Sequence, residues 1–254
     1  MGTSDTRGRT PIKTRGIVLH TMPVGENDKR LVLFTKDTGK TVAFAKGAQK
    51  AKSPLLSSTQ VFAYSDLELV EGRQSHTLAG AVLLEPFYGL RKDLDRLAYG
   101  LHLLEHTGYL LEEGQENQEL LYLLLKTLKH VELSKTPLRQ LKLVYEVKSM
   151  EYTGIAPLIT QCVLCGRTSD LAWFHTGEGG ALCRACAPSK GREALPMEEP
   201  VRHLLQHVLS AGVRELFSFQ AEEAVLDGLE RIVDSWLQRH LSRRPRSLEM
   251  LKRL

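Results

Sequence analysis

The cysteines are the residues whose spacing points most directly to a chemical role. The chain has four, arranged as two Cys-x-x-Cys pairs, Cys162 with Cys165 and Cys183 with Cys186. Two thiolates separated by two residues can turn onto one cation, and two such pairs complete a tetrahedral shell around Zn²⁺. Because four thiolates leave no open position on the ion, the spacing predicts one structural zinc ion per chain.

Other interpretations of the cysteines fit the sequence less well. A redox dithiol would lie in a βαβ context around a single Cys-x-x-Cys, and the sequence lacks that context. A nucleobase deaminase would carry an upstream His-x-Glu, whereas His175 is followed by Thr176 and Gly177. His175 lies between the two pairs and could replace one thiolate. With four cysteines present, we interpret it as a loop residue.

A second group of interest is the basic stretch from Lys36 to Pro54. One carboxylate, Asp37, accompanies five lysines there: Lys36, Lys40, Lys46, Lys50 and Lys52. Strand alternation would put Lys40, Phe44 and Lys46 on one side. A ring flanked by ammonium groups suits a platform on which a base stacks beside phosphate contacts. The alternative is that Phe44 belongs to the core and the lysines are only solvated charges.

Motifs for catalysis are absent from the sequence. It contains no GxxxxGK[ST], no GxGxxG after a strand, no HExxH and no GxSxG. Adjacent acidic residues such as Glu112 and Glu113 point to different sides of a helix and do not form an acid/base pair. We therefore do not expect an enzyme.

The elements that must position these residues change type along the chain. Between Thr14 and Leu84, five runs rich in β-branched and aromatic residues are separated by turn residues, which predicts five strands. Such a set is typical of a small barrel such as an OB-fold, although periodicity does not distinguish it from an SH3-like barrel. After Pro86, leucines recur at helical spacing, and one helix is predicted to begin at Thr136-Pro137 and end near Gly154.

We therefore predict an α+β fold, with an N-terminal five-stranded OB-fold barrel followed by a helical domain that carries an inserted four-cysteine zinc module. The predicted divisions are a flexible N-terminus at 1–11, an OB-fold DNA-binding domain at 12–84, a helical domain at 85–160, the zinc module at 161–190, and C-terminal helices at 191–254 that pack with the helical domain.

Composition and charge are those of a globular protein with a basic N-terminal part. Of the 254 residues, 42% are hydrophobic and 25% charged, so the chain can bury a core. The net charge is +4, but the first 84 residues hold 12 Lys and Arg against 7 Asp and Glu, which favours a polyanion surface there. The end, from Arg239 to Leu254, is a second basic segment. The sequence has no apolar run of membrane-spanning length and no secretory signal, so we expect a cytoplasmic protein.

Several segments, in this order, resemble the RecO family of bacterial DNA repair and recombination proteins over nearly the full length. They are GIVLHTMPVGENDKRLVLFTKDTGK, AKGAQKAKSPL, YSDLELVEGRQSHTLAGA, LKLVYEVKSMEYTGIAPLITQCVLCG, LCRACA and the closing HLSRRPRSLEML. The resemblance implies an OB-fold, a helical body and a zinc module. It also implies binding of single- and double-stranded DNA, annealing of complementary strands, and association with RecR. The implied role is to help load recombinase onto DNA coated by single-strand-binding protein, without a covalent reaction.

The resemblance also directs the choice of binding residues and location. An annealing protein must neutralise two phosphate backbones, and the residues suited to DNA contact are Arg15, Arg30, Lys40, Phe44, Lys46, Lys50 and Lys52. The family contacts the acidic, Phe-ended tail of single-strand-binding protein. A segment containing Tyr109, Leu121, Arg139 and Lys142 could supply that site. The protein is then expected to be nucleoid-associated. The alternative is a zinc-stabilised protein-interaction scaffold that does not itself bind DNA.

Overall fold

The computed structural model describes residues 10–251, and the N-terminal part is a closed barrel of five strands. The strands are β1 (Ile12–Val24), β2 (Asp28–Thr35), β3 (Gly39–Ala45), β4 (Tyr64–Glu71) and β5 (His76–Glu85). Their order around the barrel is β1-β2-β3-β5-β4, and β3 runs parallel to β5 while the other neighbours are antiparallel. This closed five-stranded order is that of an OB-fold. The predicted fold class is therefore confirmed, and the choice left open by periodicity is settled.

Alternation along β3 separates the barrel core from its outer surface. The buried positions are Thr41, Ala43 and Ala45. The half-buried positions of the outer surface are Lys40, Val42 and Phe44. The inward side chains pack with aliphatic residues of the other strands, including Leu31, Leu33, Leu67, Leu69 and Leu78. Phe44 therefore shares its side of the strand with Lys40, as alternation predicts, and this side is the outer one, so the alternative that Phe44 belongs to the barrel core is wrong.

The chain forms two compact units, which divide between Leu128 and Lys129. The first unit contains the barrel, a 3₁₀ helix (Tyr88–Lys92) and α1 (Leu94–Leu110). Asp93 caps α1, because its carboxylate accepts a hydrogen bond from the Arg96 backbone N–H at 2.9 Å. The division falls inside α2 (Gln118–Leu133), so the predicted domain boundaries remain predictions. Most of the segment predicted to be flexible, residues 1–9, lies outside the described part.

The second unit contains α3 (Leu138–Tyr152), α4 (Glu199–Ser210), α5 (Glu223–His240) and α6 (Ser247–Leu251). Helix α3 is buried without interruption over residues 140–150. It ends where the sequence predicts: the Gly154 N–H donates to Glu151 O at 3.0 Å and the Ile155 N–H to Met150 O at 2.8 Å. It begins one residue later than predicted, because Pro137 has the extended ψ of 131° that precedes a helix. None of the described helices is both long and apolar enough to cross a membrane.

The cysteines lie in the turns around a small sheet in the second unit. Its strands are β6 (Leu171–His175), β7 (Gly180–Cys183) and β8 (Ala194–Pro196), with β6 in the centre and both neighbours antiparallel. The first cysteine pair precedes β6, and the second begins at the last residue of β7. A 3₁₀ helix (Ala187–Glu193) connects the second pair to β8. We call residues 161–190 the cysteine module.

Candidate metal centre and nucleic-acid surface

The four cysteine sulfurs converge on one point of the cysteine module. All four lie within 4.8 Å of one another, and none is in a disulfide. The Sγ atoms of Cys165 and Cys183 are 3.8 Å apart. A tetrahedron with Zn–S bonds of about 2.3 Å has edges of about 3.8 Å, so this spacing fits four thiolates around one ion. The cluster is therefore able to hold a metal ion.

Backbone hydrogen bonds fix both turns of the cluster. In the first, the Gly166 N–H donates to Cys162 O at 2.8 Å, and Gly166 has φ of 73°, a conformation that favours glycine. In the second, the Cys186 N–H donates to Cys183 O at 3.1 Å. A bond of 2.9 Å from the Val163 N–H to Ala181 O joins the first turn to β7. The sulfurs are thus positioned by local turns and one strand.

The same turns favour the thiolate form of the leading cysteines. Burial would raise the pKa of Cys162, but backbone N–H groups that include those of Cys183 and Cys165 bond its sulfur and lower its pKa to about 6. The Cys186 N–H likewise lowers the pKa of Cys183. Metal binding requires thiolates, and these donors favour that form at Cys162 and Cys183, whereas the neighbouring Cys165 and Cys183 sulfurs raise the pKa of Cys186.

His175 does not belong to this cluster. It lies at the end of β6, where its Nδ1 accepts a hydrogen bond of 3.0 Å from the Glu178 backbone N–H. The ligand atoms that lie together are four sulfurs, without an imidazole nitrogen. His175 is therefore outside the ligand set, as interpreted, but it is a buried residue of β6 and the expectation of a loop position is wrong.

The second candidate site is a row of side chains on the outer face of the barrel. Arg30 on β2 lies directly opposite Phe44 on β3 and, on its other side, opposite Met22 on β1. Directly opposite residues of antiparallel strands share a face, with Cβ atoms about 4.5–5.5 Å apart. We call Met22, Arg30 and Phe44 the platform row. It combines an exposed thioether, a guanidinium and an outward ring, and sequence reasoning missed Met22 because its place depends on strand register.

The lysine loop, residues 46–53, follows β3 at the same end of the barrel. Its three lysines, Lys46, Lys50 and Lys52, are exposed, and no acidic partner accompanies them among the described residues. The loop is tied to the β1–β2 turn: the Gly47 N–H donates to Asp28 Oδ1 at 2.8 Å and the Gln49 N–H to Asn27 O at 2.9 Å. The predicted phosphate contacts of the loop therefore lie on a fixed backbone beside the platform row.

Two of the predicted DNA-contact residues have other partners. The Lys40 ammonium donates to Gly108 O at 2.8 Å and to Leu111 O, at the C-terminal end of α1, and burial lowers its pKa. A cation is favourable there because helix carbonyls are unpaired at that end. The Arg15 guanidinium pairs with Asp66 at 2.8 Å, which raises the pKa of Arg15. These two cations therefore already have protein partners, while Arg30 and the three loop lysines have none among the described residues, and the predicted DNA-contact set remains a prediction.

The cations predicted for the tail of single-strand-binding protein are also engaged. The guanidinium of Arg139 contacts three carboxylates of α5, and buried Lys142 pairs with Glu146 at 3.0 Å and Glu230 at 3.3 Å. Burial would lower the pKa of Lys142, but these carboxylates raise it. Neither cation is left for an incoming carboxylate, so the proposed location is not supported by this geometry.

An OB-fold barrel, a helical region and a four-thiol module define the class of this protein as an OB-fold protein with a candidate metal centre. The family profile described as Recombination protein O N terminal matches residues 10–87, and the one described as Recombination protein O C terminal matches residues 91–249. The chain therefore belongs to the RecO family of DNA repair proteins, and the resemblance seen in the sequence is confirmed.

Similar proteins from several bacteria match nearly the full length of this chain. The chain is 37% identical to the DNA repair protein RecO of Alkaliphilus metalliredigens, over 96% of this chain and 99% of the relative. It is 33% identical to the DNA repair protein RecO of Acetivibrio thermocellus, over 96% and 97% respectively. A third, from Symbiobacterium thermophilum, is 30% identical over 94% and 96%. These similarities support a role in recombinational DNA repair.

Proposed function

We propose that this chain binds single- and double-stranded DNA through the platform row and the lysine loop and anneals complementary single strands. With RecR, it would help load recombinase onto DNA coated by single-strand-binding protein. The observation that carries the proposal is a set of cations that have no partner within residues 10–251, Arg30, Lys46, Lys50 and Lys52, beside the outward ring of Phe44. No covalent reaction is part of it, and association with the nucleoid in the cytoplasm would follow from DNA binding.

The chemistry of the site suits annealing. Ammonium and guanidinium groups reduce phosphate repulsion without reading sequence, because they contact the backbone only. Phe44 and Met22 offer apolar surface on which a base can stack. A base that stacks by its face keeps its Watson–Crick edge free, so a second strand can still pair with it.

The cysteine module has a structural role in this proposal. Cys162, Cys165, Cys183 and Cys186 would hold one Zn²⁺, which supplies charge and fixed geometry to join the two turns. The closed set of four thiolates leaves no position for a substrate. The module divisions at 12–84, 85–160, 161–190 and 191–254 also belong to the proposal.

A strand-annealing assay with purified protein tests the main proposal. K46E/K50E should slow annealing of complementary oligonucleotides at least tenfold, because two phosphate contacts become repulsive. The matched control is K92E/K126E, which makes the same charge change in the same unit at exposed lysines outside the basic stretch. Equal annealing by both variants, or no salt-dependent binding by wild type, would favour the scaffold alternative. Adding RecR and single-strand-binding protein then tests the partner roles.

Zinc binding is tested by elemental analysis of protein purified without chelator. Wild type should contain one zinc per chain, and C165S should lose the metal and melt at a lower temperature, because metal binding and local folding are coupled. R184S, which changes an exposed non-ligand residue of the second turn, should keep both properties. Wild-type protein without zinc would refute the metal assignment.

A further inference from the structure

The starting observation is how the charges of α5 are divided. Its carboxylates at positions 223, 227 and 230 recur at three- and four-residue steps, so they share one side of the helix. That side faces α3, where the Arg139 guanidinium forms ion pairs with these carboxylates. The distances are 2.8 Å to Glu223 and 2.6 Å to both Asp227 and Glu230. The acidic side chains of this half of α5 are therefore paired within the second unit.

The C-terminal end of α5 and the segment after it have the opposite character. Arg239, Arg243 and Arg244 are exposed. Within the described residues, no carboxylate forms an ion pair with Arg239 or Arg243. Arg244 is close enough to Asp234 to lower the pKa of that carboxyl, although burial raises it overall. We call these three arginines the arginine surface.

The backbone that carries the arginine surface is fixed at both ends. Helix α5 ends with a bond of 2.8 Å from the Leu241 N–H to Leu237 O, and the His240 ring lies against Trp236 with centroids 4.3 Å apart. Pro245 is buried, and the Leu248 N–H donates to Pro245 O at 3.3 Å. Arg243 and Arg244 thus lie between two anchored points. Residues 252–254 of the basic end lie outside the described residues.

Guanidinium groups on a fixed backbone are suited to phosphate when they lack an ion-pair partner, as Arg239 and Arg243 do within the described residues. The planar fork of arginine bonds phosphate oxygens two at a time, and it is less strongly hydrated than lysine. Arg239 also interacts favourably with the C-terminal end of α5, but Arg243 and Arg244 lie beyond the helix, where that effect has fallen off. Stabilising the helix therefore does not account for the set.

We propose that the arginine surface is a second phosphate-binding site, for the backbone of a nucleic-acid strand, separate from the barrel site. The inference rests on the proposed function, because it gives annealing a second attachment point on the same chain. One strand would lie on the platform row and lysine loop of the first unit, and another on the arginine surface of the second. A chain with two such sites raises the local concentration of one strand near the other.

The test counts short oligothymidylates bound per chain by native mass spectrometry and measures annealing in parallel. Wild type should bind two. R239E/R243E should bind one and anneal at least tenfold more slowly, while the matched control R202E/R214E, in the same unit, should resemble wild type. R239Q/R243Q, which removes charge without reversing it, should give the same loss in smaller degree. Circular dichroism melting of each variant shows that it is folded.

The outcomes separate this inference from the proposed function. If R239E/R243E still binds two strands and anneals like wild type, the arginine surface is not a site, whatever the barrel does. If K46E/K50E still binds two while R239E/R243E binds one, the barrel site is wrong and the arginine surface stands. If wild type binds no oligothymidylate, both are wrong.

Discussion

Helix α3 and the lysine loop that follows β3 use the same kinds of side chain for different purposes. On α3, Arg139 and Lys142 are held by carboxylates, and Lys142 and Glu146 are both almost fully buried. On the barrel, the ammonium groups of Lys46 and Lys50 are exposed and have no acidic partner among the described residues. A paired, buried cation contributes to stability and is unavailable to a ligand, whereas a free one on a fixed backbone is available. The role of a basic residue is therefore indicated by its partners, and not by the number of basic residues in its region.

The largest effect is expected at the buried pair. K142M should lower the free energy of unfolding by about 3–5 kcal/mol, because it removes the buried ammonium that pairs with Glu146 at 3.0 Å and with Glu230 at 3.3 Å. Chemical denaturation of the variant measures this. K135M, at an exposed lysine just before α3, is the control and should change stability by less than about 0.5 kcal/mol. A K142M protein as stable as wild type would show that the pair does not hold α3.

A smaller effect is expected at Lys40. K40M should lower the free energy of unfolding by about 1–2 kcal/mol, because two carbonyls at the end of α1 lose a charged donor and become partly hydrated instead. The same denaturation experiment applies. Its DNA affinity should stay close to that of wild type, since the ammonium has partners in the protein. A K40M protein with normal stability and weakened DNA binding would restore Lys40 to the binding set.

Sequence reasoning was strongest where the signal is local. The cysteine spacing spans 25 residues, and alternation in β3 put Phe44 on the same side as Lys40, so both required only neighbouring residues, while the choice between core and outer face required the structure. It was weakest where a side chain finds a distant partner. The acceptors of Lys40 lie 68 and 71 positions along the chain, and those of Arg139 lie 84 to 91 positions away. The position of Met22 opposite Arg30 could not be predicted from the sequence, because it depends on the register of β1 against β2.

The smallest change in stability is expected when the charges of the lysine loop are removed. This change is also the sharpest test of the difference between paired and unpaired cations. K46Q/K50Q should melt like wild type, because both side chains are exposed and have no partner in the part of the chain that the structure describes. A shifted melting temperature would mean that the loop lysines also hold the fold, and the distinction between the two groups would lose its basis.

The most direct test of the central claim is the salt dependence of binding to a fluorescent oligothymidylate, measured for wild type, K46Q/K50Q and K40M. The logarithm of affinity falls with the logarithm of salt by about 0.7 per single-strand phosphate contact. We expect a shallower slope for K46Q/K50Q, by about that amount per lysine removed, and an unchanged slope for K40M. An unchanged slope for K46Q/K50Q, or an equal loss in K40M, would contradict the account.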